Sequence, residues 1–250
     1  MIITSLDNER IKNYIKLKER KYRQQTKTYI IEGQHLVLEA YKAGMVIEVI
    51  LSRDEALPID CDKVYVTEEI LEKISTMENA PSVMALCKMP VEKEYGKKLL
   101  LLDAIQDPGN LGTIIRSAVA FNIDTIILGK GTVDLYNSKT IRAAQGMNFH
   151  IDFKEMDLLP LIKELKDKDI PVYGTDVVRG ENAKILKGKD REAYALIMGN
   201  EGNGISEEVR DLCDRMLCIK MNEKVDSLNV GVATSILLYE LNGENDAWFI

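Results

Sequence analysis

Four consecutive leucines, Leu99–Leu102, in the stretch KLLLLDA limit the folds open to this chain more than any other feature. A strand with one wet face alternates apolar and polar residues. An unbroken run therefore reads as a strand covered on both faces, as in a parallel sheet flanked by helices. Thr125–Leu128, Pro171–Thr175, Ala195–Met198 and Met216–Ile219 read as companion strands. Between them lie helical stretches: Leu111–Phe121, a segment capped by Asn137 or Ser138 and running to Ala144, then Leu158–Asp167, Ser206–Cys213 and Asn229–Leu241. In the first of these, Leu111, Ile114, Ile115, Ala118 and Val119 form one apolar stripe. Strands and helices in alternation predict βαβ units, so residues 99–250 read as an α/β domain with a mainly parallel sheet.

Residues 1–90 carry a second, smaller α/β pattern. A helix is predicted over Asn8–Gln25, with strands at Tyr29–Ile31, Val46–Leu51, Lys63–Val66 and Val83–Cys87. Helices are predicted at His35–Ala43, followed by Gly44 where a helix-terminating glycine belongs, and at Thr67–Ser75. Residues 91–98, with Gly96 among five charged residues, read as a linker.

The net charge of −7 argues against a nucleic-acid partner until its distribution is read. Residues 1–30 hold eight bases against three acids, a local net of +5 that leaves −12 on the rest. Lys12, Lys16, Lys18, Arg20, Lys21 and Arg23 could contact a phosphate backbone, or could simply be the wet face of an amphipathic helix. The longest apolar run falls short of the roughly 18–20 residues of a membrane span, and no signal-peptide pattern opens the chain. Four cysteines without a C-x-x-C pair and two distant histidines predict neither a zinc site nor a disulfide framework, hence no metal and a cytoplasmic setting.

Candidate chemistry gathers in loops that follow predicted strands, where α/β proteins hold ligands. LIMGNEGNGIS (196–206) places three glycines and Glu201 after one strand, and Ser227-Leu228-Asn229 follows the next. Upstream, QDPGN (106–110) ends in Asn110 at a helix start, a position that capping alone would explain. Arg116 lies about 140° around that helix from Leu111, off the apolar stripe. Its side chain should lean back toward the QDPGN loop. No G-x-G-x-x-G, G-x-x-x-x-G-K-[ST] or G-x-S-x-G motif is present, which disfavours nicotinamide binding, nucleotide hydrolysis and serine-hydrolase chemistry.

Taken together, NLGTIIRSA, IMGNEGNGIS and IKMNEKVDSLNVGVATSILLYE resemble, in order, the three motifs of the SpoU/TrmH branch of the SPOUT methyltransferases, over about residues 97–245. Residues 1–90 resemble, more weakly, a ribosomal-protein-like RNA-recognition domain. The resemblance implies a C-terminal α/β knot domain, S-adenosyl-L-methionine as cofactor, methylation of a ribose 2′-hydroxyl in RNA, and a homodimer. It assigns catalytic roles to Asn110, Arg116, Glu201, Ser227 and Asn229. Gly199, Ile219 and Leu228 match positions whose backbone cradles the cofactor, and Thr175 a looser wall position. Two departures stand out: Asp226 where Glu is common, and AAQGMNFHI where a run of small residues is usual.

The helix 229–241 is apolar on two faces, one with Val230, Ala233 and Leu237, the other with Val232, Ile236 and Tyr239. A dimer interface or a two-sided core helix would each produce that pattern. A sulfonium brings its own methyl and charge, so positioning dominates, worth roughly 7–11 kcal/mol. An ordinary arginine is only about 10⁻⁵ neutral at pH 7, a penalty of roughly 7 kcal/mol for a base. Arg116 is therefore read as stabilising the developing oxyanion and holding a substrate phosphate, with Glu201 orienting Arg116 or Asn110. The extra N-terminal domain favours rRNA, 23S in particular, over tRNA as substrate. A catalytically silent RNA-binding factor and a nicotinamide-dependent oxidoreductase are the competing readings.

Overall fold

The computed structural model describes residues 2–52 and 54–242, and divides them into two compact units. The first comprises residues 1–91 and 134–150, and the second 92–133 and 151–250.

In the first unit the elements run β1 (Ile2–Ile3), α1 (Glu9–Lys16), α2 (Arg20–Thr26), β2 (Thr28–Glu32), α3 (Gln34–Lys42), β3 (Val46–Ser52), β4 (Asp62–Val66), α4 (Glu68–Ile74) and β5 (Val83–Lys88). The sheet order is β1-β4-β3-β5-β2, with β4 parallel to β1 and β3, and β5 antiparallel to β3 and β2. Side chains alternate across the sheet. Val49 and Leu51 join one apolar cluster with Leu36, Val37 and Ala40 of α3, while Ile50 points into another with Ile11, Tyr14, Ile70 and Ile74. Gly44 takes φ +68° just beyond α3, as the sequence predicts.

The second unit opens with β6 (Lys98–Asp103), whose four leucines are fully buried. Then come α5 (Pro108–Ala120) and β7 (Thr125–Leu128). After α6 (Ser138–Ala144), which belongs to the first unit, the chain continues through β8 (Asp152–Glu155), α7 (Leu158–Asp167), β9 (Val172–Thr175), β10 (Glu181–Asn182), α8 (Lys189–Glu192), β11 (Tyr194–Gly199), α9 (Glu207–Arg210), β12 (Arg215–Cys218) and α10 (Val230–Asn242). Every pairing in the seven-stranded sheet, ordered β10-β12-β9-β11-β6-β7-β8, is parallel. Leu99, Leu101, Ala195 and Ile197 face α7 and α9 in one cluster; α10 packs against α5 through Gly231, where a Cβ would lie 2.9 Å from the Thr113 methyl. No helix among the described residues is long and apolar enough to cross a membrane.

Several expectations change. The helix predicted over 8–25 is two helices. The N–H groups of Leu17, Lys18 and Glu19 bond carbonyls three residues back, which tightens the chain and ends α1. Arg23 holds the break, for its guanidinium donates to the carbonyls of Leu17 and Lys18, each at 2.7 Å, and pairs with Asp134. Arg23 is therefore a buried internal tie, not a phosphate contact. Lys18 donates to the Ser75 carbonyl at 2.8 Å, and Lys12 lies 3.3 Å from Asp7. Lys16 and Lys21 keep exposed ammonium groups near the Tyr22 ring. Residues 134–150, assigned by sequence to the second domain, instead complete the first unit, with Ile141 in its core. Strands β1, β8 and β10 are too short or too polar for apolar periodicity to reveal.

Side chains of Arg23 and Asp134 are only 8% and 14% exposed. Arg23→Ala leaves a sequestered carboxylate and two carbonyls without donors, and should cost about 3–5 kcal/mol. Urea unfolding is the measurement, and a loss below about 1 kcal/mol, the size of an exposed pair, would show the tie to be incidental.

Candidate functional site

In a parallel sheet all the strands release their chain at one edge. The order of this sheet reverses beside β6, since β7 and β8 extend one way and β11, β9 and β12 the other. Ligands of α/β proteins collect at such a switch point. A cavity of about 500 Å³ lies there in the second unit, bounded by the ends of β9, β11 and β12, the loop 219–229 and the start of α10.

One carboxylate ties the loops after β6 and β11 together. Glu201 accepts from the backbone N–H of Gln106 at 3.1 Å and of Asp107 at 3.0 Å, and from Asn110 Nδ2 at 3.0 Å. Asn110 Oδ1 in turn accepts from Asn229 Nδ2 at 2.8 Å. Asn229 Oδ1 caps α10 by accepting from Gly231 N at 2.9 Å. The three residues form one relay from the β11 loop through α5 to the N-terminus of α10. Burial works to raise the Glu201 pKa, but the hydrogen bonds from the Asn110 side chain and the backbone prevail and hold it below the usual glutamate value.

Asn110 does not cap α5. Asp107 does, accepting from Asn110 N at 2.8 Å, with Pro108 pre-setting the first turn. The Asn110 amide is thereby free for the relay. The β11 loop is closed by paired backbone hydrogen bonds between Asn200 and Gly204, both 2.9 Å, and Asn200 Nδ2 donates to the Ala104 carbonyl at 2.8 Å. Gly204 takes φ +69°, and the returning backbone presses on Gly199, where a Cβ would sit 2.1 Å from the Gly204 carbonyl carbon. Only glycine fits that crossing.

Of the nine catalytic and cofactor positions expected from sequence, Asn110, Thr175, Gly199, Glu201, Ile219, Ser227, Leu228 and Asn229 all line this cavity. Thr175 donates its hydroxyl to the Ile197 carbonyl at 3.0 Å, so its side chain faces the sheet. The Ser227 hydroxyl makes no hydrogen bond among the described residues. Arg116 is the exception. It is exposed on α5, off the cavity wall, with no hydrogen bond or ion pair to any described residue. Of the two partners expected for Glu201, the structure gives Asn110 and not Arg116, because Glu201 spends its oxygens on Asn110 and two backbone groups.

Sequence reasoning passed over Asp176 and Arg210, which form an ion pair in the wall. Asp176 also accepts from Val178 N at 2.8 Å and Arg179 N at 2.9 Å. Burial raises its pKa, and these donors outweigh that and lower it. The signal was an acid directly after a buried strand, at the sheet edge where ligands bind. Met198, Leu217 and Leu237 supply apolar wall, so the cavity offers both a flat apolar group and a polar chain a place. Its volume falls in the range of small-molecule sites, about 300–1,000 Å³. No group of three or more His, Cys, Asp or Glu among the described residues is placed to hold a metal ion.

Comparison with known proteins bears on both units. The model of the SpoU rRNA methylase family matches residues 97–239, and that of the MRM3-like substrate binding domain residues 8–85. The 23S rRNA (guanosine(2553)-2′-O)-methyltransferase RlmP of Bacillus subtilis is 40% identical over 247 residues, covering 96% of this chain and 99% of that protein. A TrmH-family protein of Porphyromonas gingivalis superposes with a TM-score of 0.83 at 31% identity, over 95% of this chain and 98% of that one. An rRNA methyltransferase of Sinorhizobium meliloti, solved with AdoMet bound, gives 0.82 at 26% identity over 96% and 97%.

Two measurements test the geometry. Gly199→Ala forces backbone against backbone and should cost stability at the upper end of about 1–3 kcal/mol in thermal unfolding; an unchanged melting temperature would contradict the crossing. Glu201, with its folded pKa depressed, adds stability that is full above the unfolded value of about 4.3 and fades as pH falls through the folded value. Stability curves from pH 6 down to about 3 should therefore fall more steeply for the wild type than for Glu201→Gln. Parallel curves would remove the carboxylate from the account.

Proposed function

We propose, on the premise that this chain belongs to the SpoU rRNA methylase family, that its substrate is 23S rRNA. The enzyme is an S-adenosylmethionine-dependent RNA ribose 2′-O-methyltransferase with the SPOUT α/β knot fold. The observation that carries the assignment of the site is the Glu201–Asn110–Asn229 relay, which joins three motifs distant in sequence around one cavity.

When bound, the sulfonium supplies an activated methyl group, and the rest falls to the chain. Met198, Leu217, Ile219 and Leu228 accept the flat adenine, and the backbone at Gly199, Ile219 and Leu228 fixes the nucleoside. Ser227, its hydroxyl uncommitted, and Asn229 face the reacting end. Glu201 is a positioning residue, because a carboxylate held anionic by three donors is a weak base. Arg116 steadies the developing 2′-oxyanion and a neighbouring phosphate of the RNA.

The homodimer belongs to the same reading. Its support is the second apolar face of α10: Val232 is 46% and Tyr239 67% exposed. That face is open among the described residues, which favours a partner surface over a two-sided core helix of one subunit. Arg116, exposed on the adjoining α5, would reach its substrate at the joined surface. Unpaired Cys61, Cys87, Cys213 and Cys218 suit a reducing cytoplasm. A tRNA substrate remains the alternative target.

Tritium from labelled cofactor should enter a 23S rRNA transcript and not tRNA. Mapping should begin at guanosine 2553, the nucleotide named for the Bacillus subtilis relative. Label in tRNA alone would transfer the proposal to that substrate, and no label in any RNA would favour a silent binder. Arg116→Ala should lower kcat by about 10²–10³-fold with cofactor Kd unchanged. Recovery of most activity in Arg116→Lys would show that the planar guanidinium is dispensable.

A further inference from the structure

The break between α1 and α2 builds a second feature on the first unit. In one continuous helix Lys16 and Tyr22, six residues apart, would point about 120° away from each other. Across the break, the Lys16 ammonium lies 5.9 Å from the Tyr22 ring centroid, and that of Lys21 also 5.9 Å. This distance is at the outer limit of a cation–π contact, near 6 Å, so both ammonium groups can be released to other anions at little cost.

Tyr22 stands at the edge of a groove of about 280 Å³, floored by Leu17 and Leu86 and rimmed by Asn13, Lys16 and Thr28. Asn13 lies one turn before Lys16 on α1 and makes no side-chain hydrogen bond among the described residues. Its amide can donate and accept together. Glu48, the acid in the groove, is paired with Arg10 and accepts from the Tyr14 hydroxyl, so it does not set a bare negative charge against an incoming phosphate. An apolar floor, a partly exposed aromatic edge, a free amide and two exposed cations are the parts of a single-stranded nucleic-acid subsite.

We infer that this groove takes one unstacked base of the substrate RNA, stacked on Tyr22, with Asn13 on the base edge and Lys16 and Lys21 on the flanking phosphates. The inference rests on the reading of the chain as an RNA methyltransferase and adds where, outside the methyl-transfer cavity, the RNA is gripped. It differs from a general basic face in one respect, for the aromatic contact carries no charge. Stacking and phosphate contacts therefore separate by salt dependence.

The experiment is filter binding of the full chain to a 23S rRNA transcript over a range of salt. Tyr22→Ala should raise Kd about 5- to 150-fold, the effect of losing one stacked base, with the slope of log K against log salt unchanged. Tyr22→Phe, which keeps the ring, should stay within about twofold of the wild type. The Lys16→Ala, Lys21→Ala pair should flatten the slope by about 1.4, for two single-strand phosphates. A wild-type urea-unfolding transition for each variant reports that the protein is folded. A wild-type Kd for Tyr22→Ala, a loss in Tyr22→Phe equal to that in Tyr22→Ala, or no binding of the transcript by the wild type would overturn the inference. Absence of methyl transfer by the wild type would overturn the enzymatic reading instead, and these Kd values would still decide the groove.

Discussion

The site depends on one carboxylate. A parallel sheet delivers loops to a common edge but supplies nothing to join them, because its ladder ends where the loops begin. Glu201 supplies the join, with oxygens shared among two N–H groups of the β6–α5 loop and the Asn110 amide. Those N–H groups lie just before α5, where positive backbone charge gathers and a carboxylate is welcome. Asn110 then passes the constraint to Asn229, and Asn229 to α10. The cavity walls can be fixed before any ligand arrives, which lowers the ordering cost of binding.

The architecture was legible where burial leaves a periodic mark. Leu99–Leu102 announced a strand covered on both faces, and the stripe along α5 announced its crossover helix. Residues whose role depends on distant partners were not legible. Asn110 resembled a cap because the true cap, Asp107, is another short acceptor three residues earlier. Arg23 counted as one more base until Asp134, 111 residues away, was seen to bury it. Asp176 and Arg210 carry no periodicity, and only the sheet edge brings them together.

Arg116 shows the same limit from the other side. Its motif placed it with Asn110, and helix geometry aimed it at the neighbouring loop. Six residues at 1.5 Å each carry it about 9 Å along α5, and its guanidinium ends in solvent. An arginine kept exposed on a helix next to an open apolar face is suited to meet a large charged substrate. The relay, already satisfied by its own members, has no vacancy for it.

The excursion of residues 134–150 has a consequence for how the chain is born. Ile141 is part of the apolar cluster that also holds Tyr29, Val49 and Ala85, and Arg23 waits for Asp134. A nascent chain released as far as β5 therefore holds an unfinished core. At about 5–20 residues per second, the next 60 or so residues take several seconds to appear, and β6, α5 and β7 emerge meanwhile. The first unit to be synthesised is thus completed only after part of the second has emerged. A cut after residue 91 would separate a recognisable sequence but not a finished domain, and the two units have to be inherited, and expressed, as one.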